Sequence, residues 1–127
     1  MARLKCLVIF SLLVLGVACS SSSAVNPAGA DQITTAEDKL NRGALLLDVR
    51  TPEEYQHGHV SGALNIPVEE LPHRIHELGE NRLQAIVVYS KSGKRANVAL
   101  NTLYELGFEN VLNAGSYESL NQRIKRN

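Results

Sequence analysis

"QAIVVYSKSGKRANVAL", residues 84–100, reads as an apolar strand, a short polar turn and the start of a helix. Ala85 to Tyr89 run without a polar break, as expected of a strand covered on both faces of a parallel sheet. The next residues, Ser90, Lys91, Ser92, Gly93, Lys94 and Arg95, form the turn. Gly93 permits the backbone angles that aim successive N–H groups inward. A helix starting there adds its positive end, and Lys91, Lys94 and Arg95 add charge. Such a turn is a cradle for a small oxyanion, and in such cradles the first residue, here Ser90, is often the nucleophile. The same residues also suit a plain strand–turn–helix with solvated cations, and the turn alone does not decide between the two.

Downstream, "GKRANVALNTLYELG" (93–107) places Ala96, Ala99, Leu100, Leu103 and Leu106 on one helical stripe, with Gly107 ending the helix. "NVLNAG" (110–115) is a further core strand, and "SYESLNQRIKRN" is a last short helix with a basic end. Upstream, "ALLLDV" (44–49) is another strand buried on both faces. It runs into "TPEEYQHG", where Thr51 caps a helix, Pro52 takes its first position and Glu54 completes a capping box. "VSGALNIP" is a loop or short extended piece that turns at Gly62. "VEELPHRIHELG" predicts a helix with Leu71, Ile75 and Leu78 on one face and Pro72 opening its main turn. "DQITTAEDKLNRG" predicts a short strand around Ile33, then a helix capped by Thr34 or Thr35 and ended by Gly43. Strands alternating with helices imply an α/β fold, a central parallel sheet with helices on both faces. Ligands of such sheets bind beyond the carboxyl ends of strands. Ser90 and Arg50 lie at such ends.

At 127 residues the chain holds one domain at most. Its formal charge of zero gives no electrostatic basis for binding nucleic acid. Residues 1–18 read as a signal peptide: Arg3 and Lys5 precede "CLVIFSLLVLGVA", which is shorter than the roughly 20 apolar residues of a membrane span. The end, "LGVAC", resembles the lipobox of bacterial lipoproteins, which implies cleavage before Cys19 and lipidation of that residue. Ordinary cleavage near Ala18 is the alternative. Ser20 after the Cys implies anchoring to the outer membrane, facing the periplasm. Residues 19–31, "CSSSSAVNPAGAD", then form the lipidated Cys and a flexible tether, and residues 32–127 form the domain. Arg3 and Lys5 leave with the signal peptide, so the remainder carries 11 Lys+Arg against 13 Asp+Glu, a net charge of −2. The chain's two cysteines are Cys6 and Cys19, so the domain itself has no thiol and no disulfide.

"LLLDVRTPEEYQHGHVSGALNIP" resembles the first signature of the rhodanese family: a D-x-R strand end, an acidic–aromatic pair, then G-H-x-x-G-A and N-I-P. "IVVYSKSGKRANVALNTLYELGFENVLNAGSYESL" resembles the second half, in which the family's loop reads C-x-S-G-x-R. The likeness runs from about Ile33 to Leu120. It implies the rhodanese-like fold. It also implies sulfurtransferase chemistry, in which a loop Cys takes a sulfane sulfur, holds it as a persulfide and passes it on. A six-residue loop, Ser90 to Arg95, matches the sulfur-handling branch rather than the related phosphatases, whose loop has seven. Ser90 occupies the position of that Cys. A hydroxyl forms no persulfide and stays protonated where a thiol, with a pKa near 8.5, ionises. A serine nucleophile needs an adjacent base, and none of His57, His59, His73 and His76 lies in the loop.

These readings set the expectations. Ser90 is a neutral donor at the floor of the cradle, and there is no catalytic residue. Lys91 and Lys94 attract an anion at the rim. Arg95 belongs to the anion-binding loop with Ser92 and Gly93; the resemblance implies that it closes the loop against a carboxylate, and contact with the anion is the other reading. Asp48 and Arg50 brace the loop, and helix capping accounts for Glu53 and Glu54. No metal and no cofactor is called for. The expected function is a catalytically silent rhodanese-like module binding thiosulfate, sulfate or phosphate, or a periplasmic protein, and meeting the membrane only through its lipid. An active sulfurtransferase is the alternative, and a Ser90-based hydrolase or phosphoryl-transfer enzyme comes last.

Overall fold

The computed structural model describes residues 30–127. Its elements are α1 (Ala30–Asn41), β1 (Leu45–Asp48), α2 (Pro52–Gln56), β2 (Leu64–Asn65), a 3-10 turn (Ile75–Leu78), β3 (Ile86–Ser90), α3 (Lys94–Glu105), β4 (Val111–Ser116) and α4 (Tyr117–Ile124). The signal peptide, Cys19 and most of the tether lie outside the described residues. The four strands form one parallel sheet in the order β2-β1-β3-β4. The two most apolar strands, β1 and β3, are its centre, as burial on both faces demands.

Alternation along each strand divides the core into two layers. Leu47, Val49, Ile86 and Val88 face one layer, with Ala96, Ala99 and Leu103 of α3 and Leu71 and Leu78 of the segment before β3. Leu46, Val87 and Tyr89 face the other, with Ala36 of α1 and Leu120 of α4. Helices thus cover both faces, as the sequence predicts. The α3 stripe buries Ala96, Ala99 and Leu103, while Leu100 and Leu106 are partly buried at its margin. Each buried aliphatic side chain contributes about 1.5–3 kcal/mol, so these layers outweigh any surface ion pair.

Two elements differ from expectation. Instead of a strand around Ile33, α1 runs unbroken from Ala30, so residues 30 and 31 are helical rather than tether. Both edges of the sheet, β2 and β4, lie elsewhere, and α1 packs over β4 and β3. The predicted helix after Pro67 is a chain of tight turns ending in the 3-10 turn. Its bonds are largely three residues apart, among them Glu70 N–H to the Pro67 carbonyl and Glu77 N–H to the Arg74 carbonyl. Pro72 lacks the N–H that an α-helix needs there. Leu71 and Leu78 are buried all the same, and Ile75 packs on the same layer. No helix among the described residues is long and apolar enough to cross a membrane.

Candidate anion-binding loop

The loop Ser90–Arg95 leaves the centre of the sheet and enters α3. Gly93 is the N-cap of α3, with φ +94°, and provides no capping side chain. A Cβ on Gly93 would stand 3.2 Å from the Cα of Gly115, itself at φ +83°. Glycine is therefore required at 93 twice, for its backbone angle and for this approach. The approach comes from a bulge in β4: Val88 pairs with Asn113 but Ser90 pairs with Ser116. The extra residue swings Gly115 under the loop, a common use of bulges beside functional sites. Asn113 Nδ2 donates to the Gly93 carbonyl at 3.2 Å, and Asn113 Oδ1 accepts the Gly115 N–H at 2.8 Å. Asn113 thereby ties the loop to the bulge.

Ser90 is completely buried. Its Oγ accepts the Gly93 N–H at 3.0 Å and the Ala96 N–H at 3.2 Å. Sequence reasoning predicts a donor, but in both bonds the oxygen is the acceptor. A hydroxyl has two lone pairs and one hydrogen, so only the hydrogen is left to donate. The N–H groups of Ser92, Lys94 and Arg95 meet no protein acceptor among the described residues. With the Lys91 N–H, which meets none either, these are the backbone donors left for an anion at the positive end of a twelve-residue helix. Lys91 and Lys94 are exposed at the rim.

Arg95 turns away from the loop centre. Its guanidinium grips Glu54 with two bonds, Nη1 to Oε2 at 2.8 Å and Nη2 to Oε1 at 2.9 Å. Glu54 also accepts the Thr51 N–H at 3.0 Å while Thr51 Oγ1 accepts the Glu54 N–H, so the predicted capping box is formed. One carboxylate thus caps α2 and clamps the loop. Arg95 first, and the Thr51 N–H after it, hold the Glu54 carboxyl at about 2, against an ordinary 4.5. Glu53 makes no such side-chain bond among the described residues and lines the neighbouring cleft.

Asp48 and Arg50 form a buried pair, 0% and 4% exposed. Arg50 Nη2 reaches Asp48 Oδ2 at 2.7 Å, and the Arg50 N–H donates to Asp48 Oδ1 at 2.9 Å. Nη2 also donates to the Gly58 carbonyl at 2.7 Å. The guanidinium lies 4.3 Å from the Tyr117 ring centre and 5.5 Å from that of Tyr89. Burial works to lower the Arg50 pKa, but the bonds and charge of Asp48 prevail and the net direction is up. Burial first, then Asp48, pushes the Tyr89 hydroxyl up. Asn65 Nδ2 donates to the carbonyls of both Asp48 and Arg50, fixing the strand end. Asp48 and Arg50 thus hold one another, Gly58 and the end of β1, and no side-chain bond joins either of them to Ser90–Arg95 among the described residues.

Beside the loop lies a cleft of about 510 Å³, lined by Arg50, Glu53, Glu54, His57, Lys91, Tyr117 and Glu118. His57 is the only histidine in this lining, and its Nδ1 is 2.6 Å from the Glu53 carbonyl. His59 stacks on Tyr55, ring centres 3.7 Å apart. No base contacts Ser90 among the described residues, where no group of three or more His, Cys, Asp or Glu is placed to hold a metal. Sequence reasoning missed Asn113, Gly115, Tyr117 and Gly58. Gly58 opens the G-H-x-x-G-A segment and Gly115 and Tyr117 lie in a Gly–Ser–Tyr run, but their roles are unreadable without the strand register.

A family model described as "Rhodanese-like domain" matches residues 32–122. The thiosulfate sulfurtransferase PspE of Escherichia coli (strain K12) is 38% identical over 74 residues, 58% of this chain and 71% of that protein. Among solved structures, a "rhodanese with anions from E. coli" is 37% identical with a TM-score of 0.57, covering 60% of this chain and 89% of that one. The human single-domain sulfurtransferase TSTD1 is 31% identical with a TM-score of 0.60, covering 72% and 92%.

Proposed function

Since the chain belongs to the rhodanese-like domain family, we propose that it is a rhodanese-like module that binds a small oxyanion in the loop Ser90–Arg95 and carries no sulfur itself. Ser90 stands where the family's loop has its sulfur-bearing Cys. The observation that carries this reading is the state of Ser90: a buried hydroxyl with both lone pairs engaged by loop N–H groups, in a stretch, residues 20–127, without a cysteine. A persulfide requires a thiolate to attack the sulfane sulfur of a donor, with its S–S bond breaking and sulfite leaving. No atom of the domain can do this. The free N–H groups of Ser92, Lys94 and Arg95 retain the capacity to hold thiosulfate, sulfate or phosphate. A related E. coli rhodanese described as carrying anions supports that capacity. A hydrolase built on Ser90 has no support, because no base adjoins the hydroxyl among the described residues.

The names of the relatives favour a second reading, an active thiosulfate sulfurtransferase. A thiosulfate:cyanide assay decides between them. Thiocyanate at the blank rate is the expected result, and turnover well above blank overturns the silent reading. Isothermal calorimetry with thiosulfate, sulfate and phosphate is expected to show binding; the absence of heat removes the anion reading. Ser90→Cys is expected to gain a single sulfur atom by mass after thiosulfate treatment.

The same reading extends to location. Cleavage before Cys19 and its lipidation would hold the module at the outer membrane, facing the periplasm, with residues 20–29 as spacer. Acyl chains contribute about 0.8 kcal/mol per buried methylene, and more than one chain gives stable anchoring.

A further inference from the structure

Helix α3 begins at a glycine, so its first N–H groups have no side-chain acceptor of their own at the N-cap. The acceptor comes from three residues back. Ser90 Oγ takes the N–H of the cap residue Gly93 and of Ala96 in the first turn. It does so from a fully buried position. The loop around it cannot relax, being fixed by Asn113 on the Gly93 carbonyl and by Gly115 beneath Gly93. A closed ring of inward N–H groups without an acceptor is costly, since each buried unpaired donor forfeits its hydration. An empty oxyanion cradle has this defect by construction.

We propose that Ser90 Oγ is a resident substitute for the anion: it supplies a permanent acceptor at the cradle floor, holds the loop in its anion-ready shape without ligand, and so limits how much a bound anion can add. Ser90 is a positioning residue in this scheme. The inference deepens the anion-binding reading and rests on it for the identity of the ligand. Ser92, Lys94 and Arg95 provide the N–H groups for the ligand, and Gly93 and Ala96 provide those that Ser90 has already satisfied. Replacing the hydroxyl with hydrogen frees the latter pair, and an anion becomes their best available partner.

The test is thermal unfolding of the full chain in rising sodium sulfate at constant ionic strength, for the native protein, Ser90→Ala, Ser90→Gly and Ser90→Thr. Gln84→Ala serves as control. It loses a bond from Gln84 Nε2 to the Leu78 carbonyl, outside the loop, and reports whether a stability loss away from the loop by itself enlarges the sulfate shift. Ser90→Ala and Ser90→Gly are expected to melt below the native protein without sulfate and to show roughly threefold its sulfate-dependent shift, as ligand linkage predicts for a tighter site. Ser90→Thr, which keeps an Oγ, and Gln84→Ala are expected to shift as the native protein does. Amide hydrogen exchange reads the atoms directly: the Gly93 and Ala96 N–H groups should be protected in the native protein, fast in Ser90→Ala, and protected again with sulfate. Equal shifts for native protein and Ser90→Ala overturn the inference and leave the anion reading standing. A shift in Ser90→Ala with none in the native protein overturns the anion reading and leaves the inference standing. No shift in either overturns both. Should the Ala and Gly variants fail to fold even with sulfate, unprotected Gly93 and Ala96 amides in the native protein overturn the inference, and protected ones uphold it.

Discussion

Two arginine–carboxylate pairs hold this site, and burial separates their worth. Arg95 and Glu54 remain 31% and 28% exposed, so water competes for both. Arg50 and Asp48 are 5% and 0% exposed at the side chain, and Arg50 is enclosed by two tyrosine rings and the Gly58 carbonyl. Removing one partner of a buried pair strands the other charge, at about 3–5 kcal/mol. Asp48→Ala is therefore expected to lower unfolding stability by about that amount in urea titrations. A loss under about 1 kcal/mol, as for a surface pair, would show that Arg50 finds solvent or another partner. At this scale the sequence was informative about which residues stand at strand ends, because Asp48 and Arg50 directly follow an apolar run. It could not disclose Asn113 or Gly115, whose roles exist only through the bulge that sets Ser90 opposite Ser116.

Helix α2 has five residues and no fully buried side chain; Tyr55 alone packs partly against the core, too little to sustain so short a helix unaided. Its capping box adds the local support, and the box shares Glu54 with the loop. That sharing has a pH signature. The Glu54 carboxyl sits at about 2 in the fold against an ordinary 4.5. A lowered acid contributes stability that is fully present above 4.5 and is lost as pH falls towards 2. Glu54→Gln keeps a residue able to complete the box and removes the charge. At pH 7 it is expected to cost about 1 kcal/mol, since the pair is about one-third exposed. The gap from the native protein should close between pH 4.5 and 2 in acid-unfolding curves. A gap independent of pH would assign the effect to shape rather than charge. The box was fully legible, because Thr51, Pro52 and Glu54 are local signals. The strand placed around Ile33 was not supported, because strand formation needs an edge to join, and pairing is a property of the whole sheet.

For the whole molecule, alternating apolar runs and helical stripes made the parallel sheet legible, and its covering on both faces followed from the unbroken apolar runs Leu45 to Leu47 in β1 and Ile86 to Val88 in β3, with polar residues only at the strand ends. The strand order β2-β1-β3-β4 was not, since periodicity says which strands are central but not which neighbour each takes. The anchoring proposal belongs at this scale too. Cys19→Ala is expected to move the protein from the membrane pellet to the soluble fraction on cell fractionation, and retention in the pellet would refute lipid attachment there. The central place of β3 also governs how the chain is made. Ile86 must meet Leu45 on one side and Val111 on the other, and both partners are distant in sequence, the slow kind of contact. During synthesis β3 leaves the ribosome before β4, so for that interval the apolar run from Ile86 to Tyr89 has one bare edge. An uncharged strand with an open edge is what recruits other chains into aggregates. The strand that delivers Ser90 to the cradle is thus also the segment most in need of shelter in the newborn chain, until Val111 to Ser116 arrive to cover it.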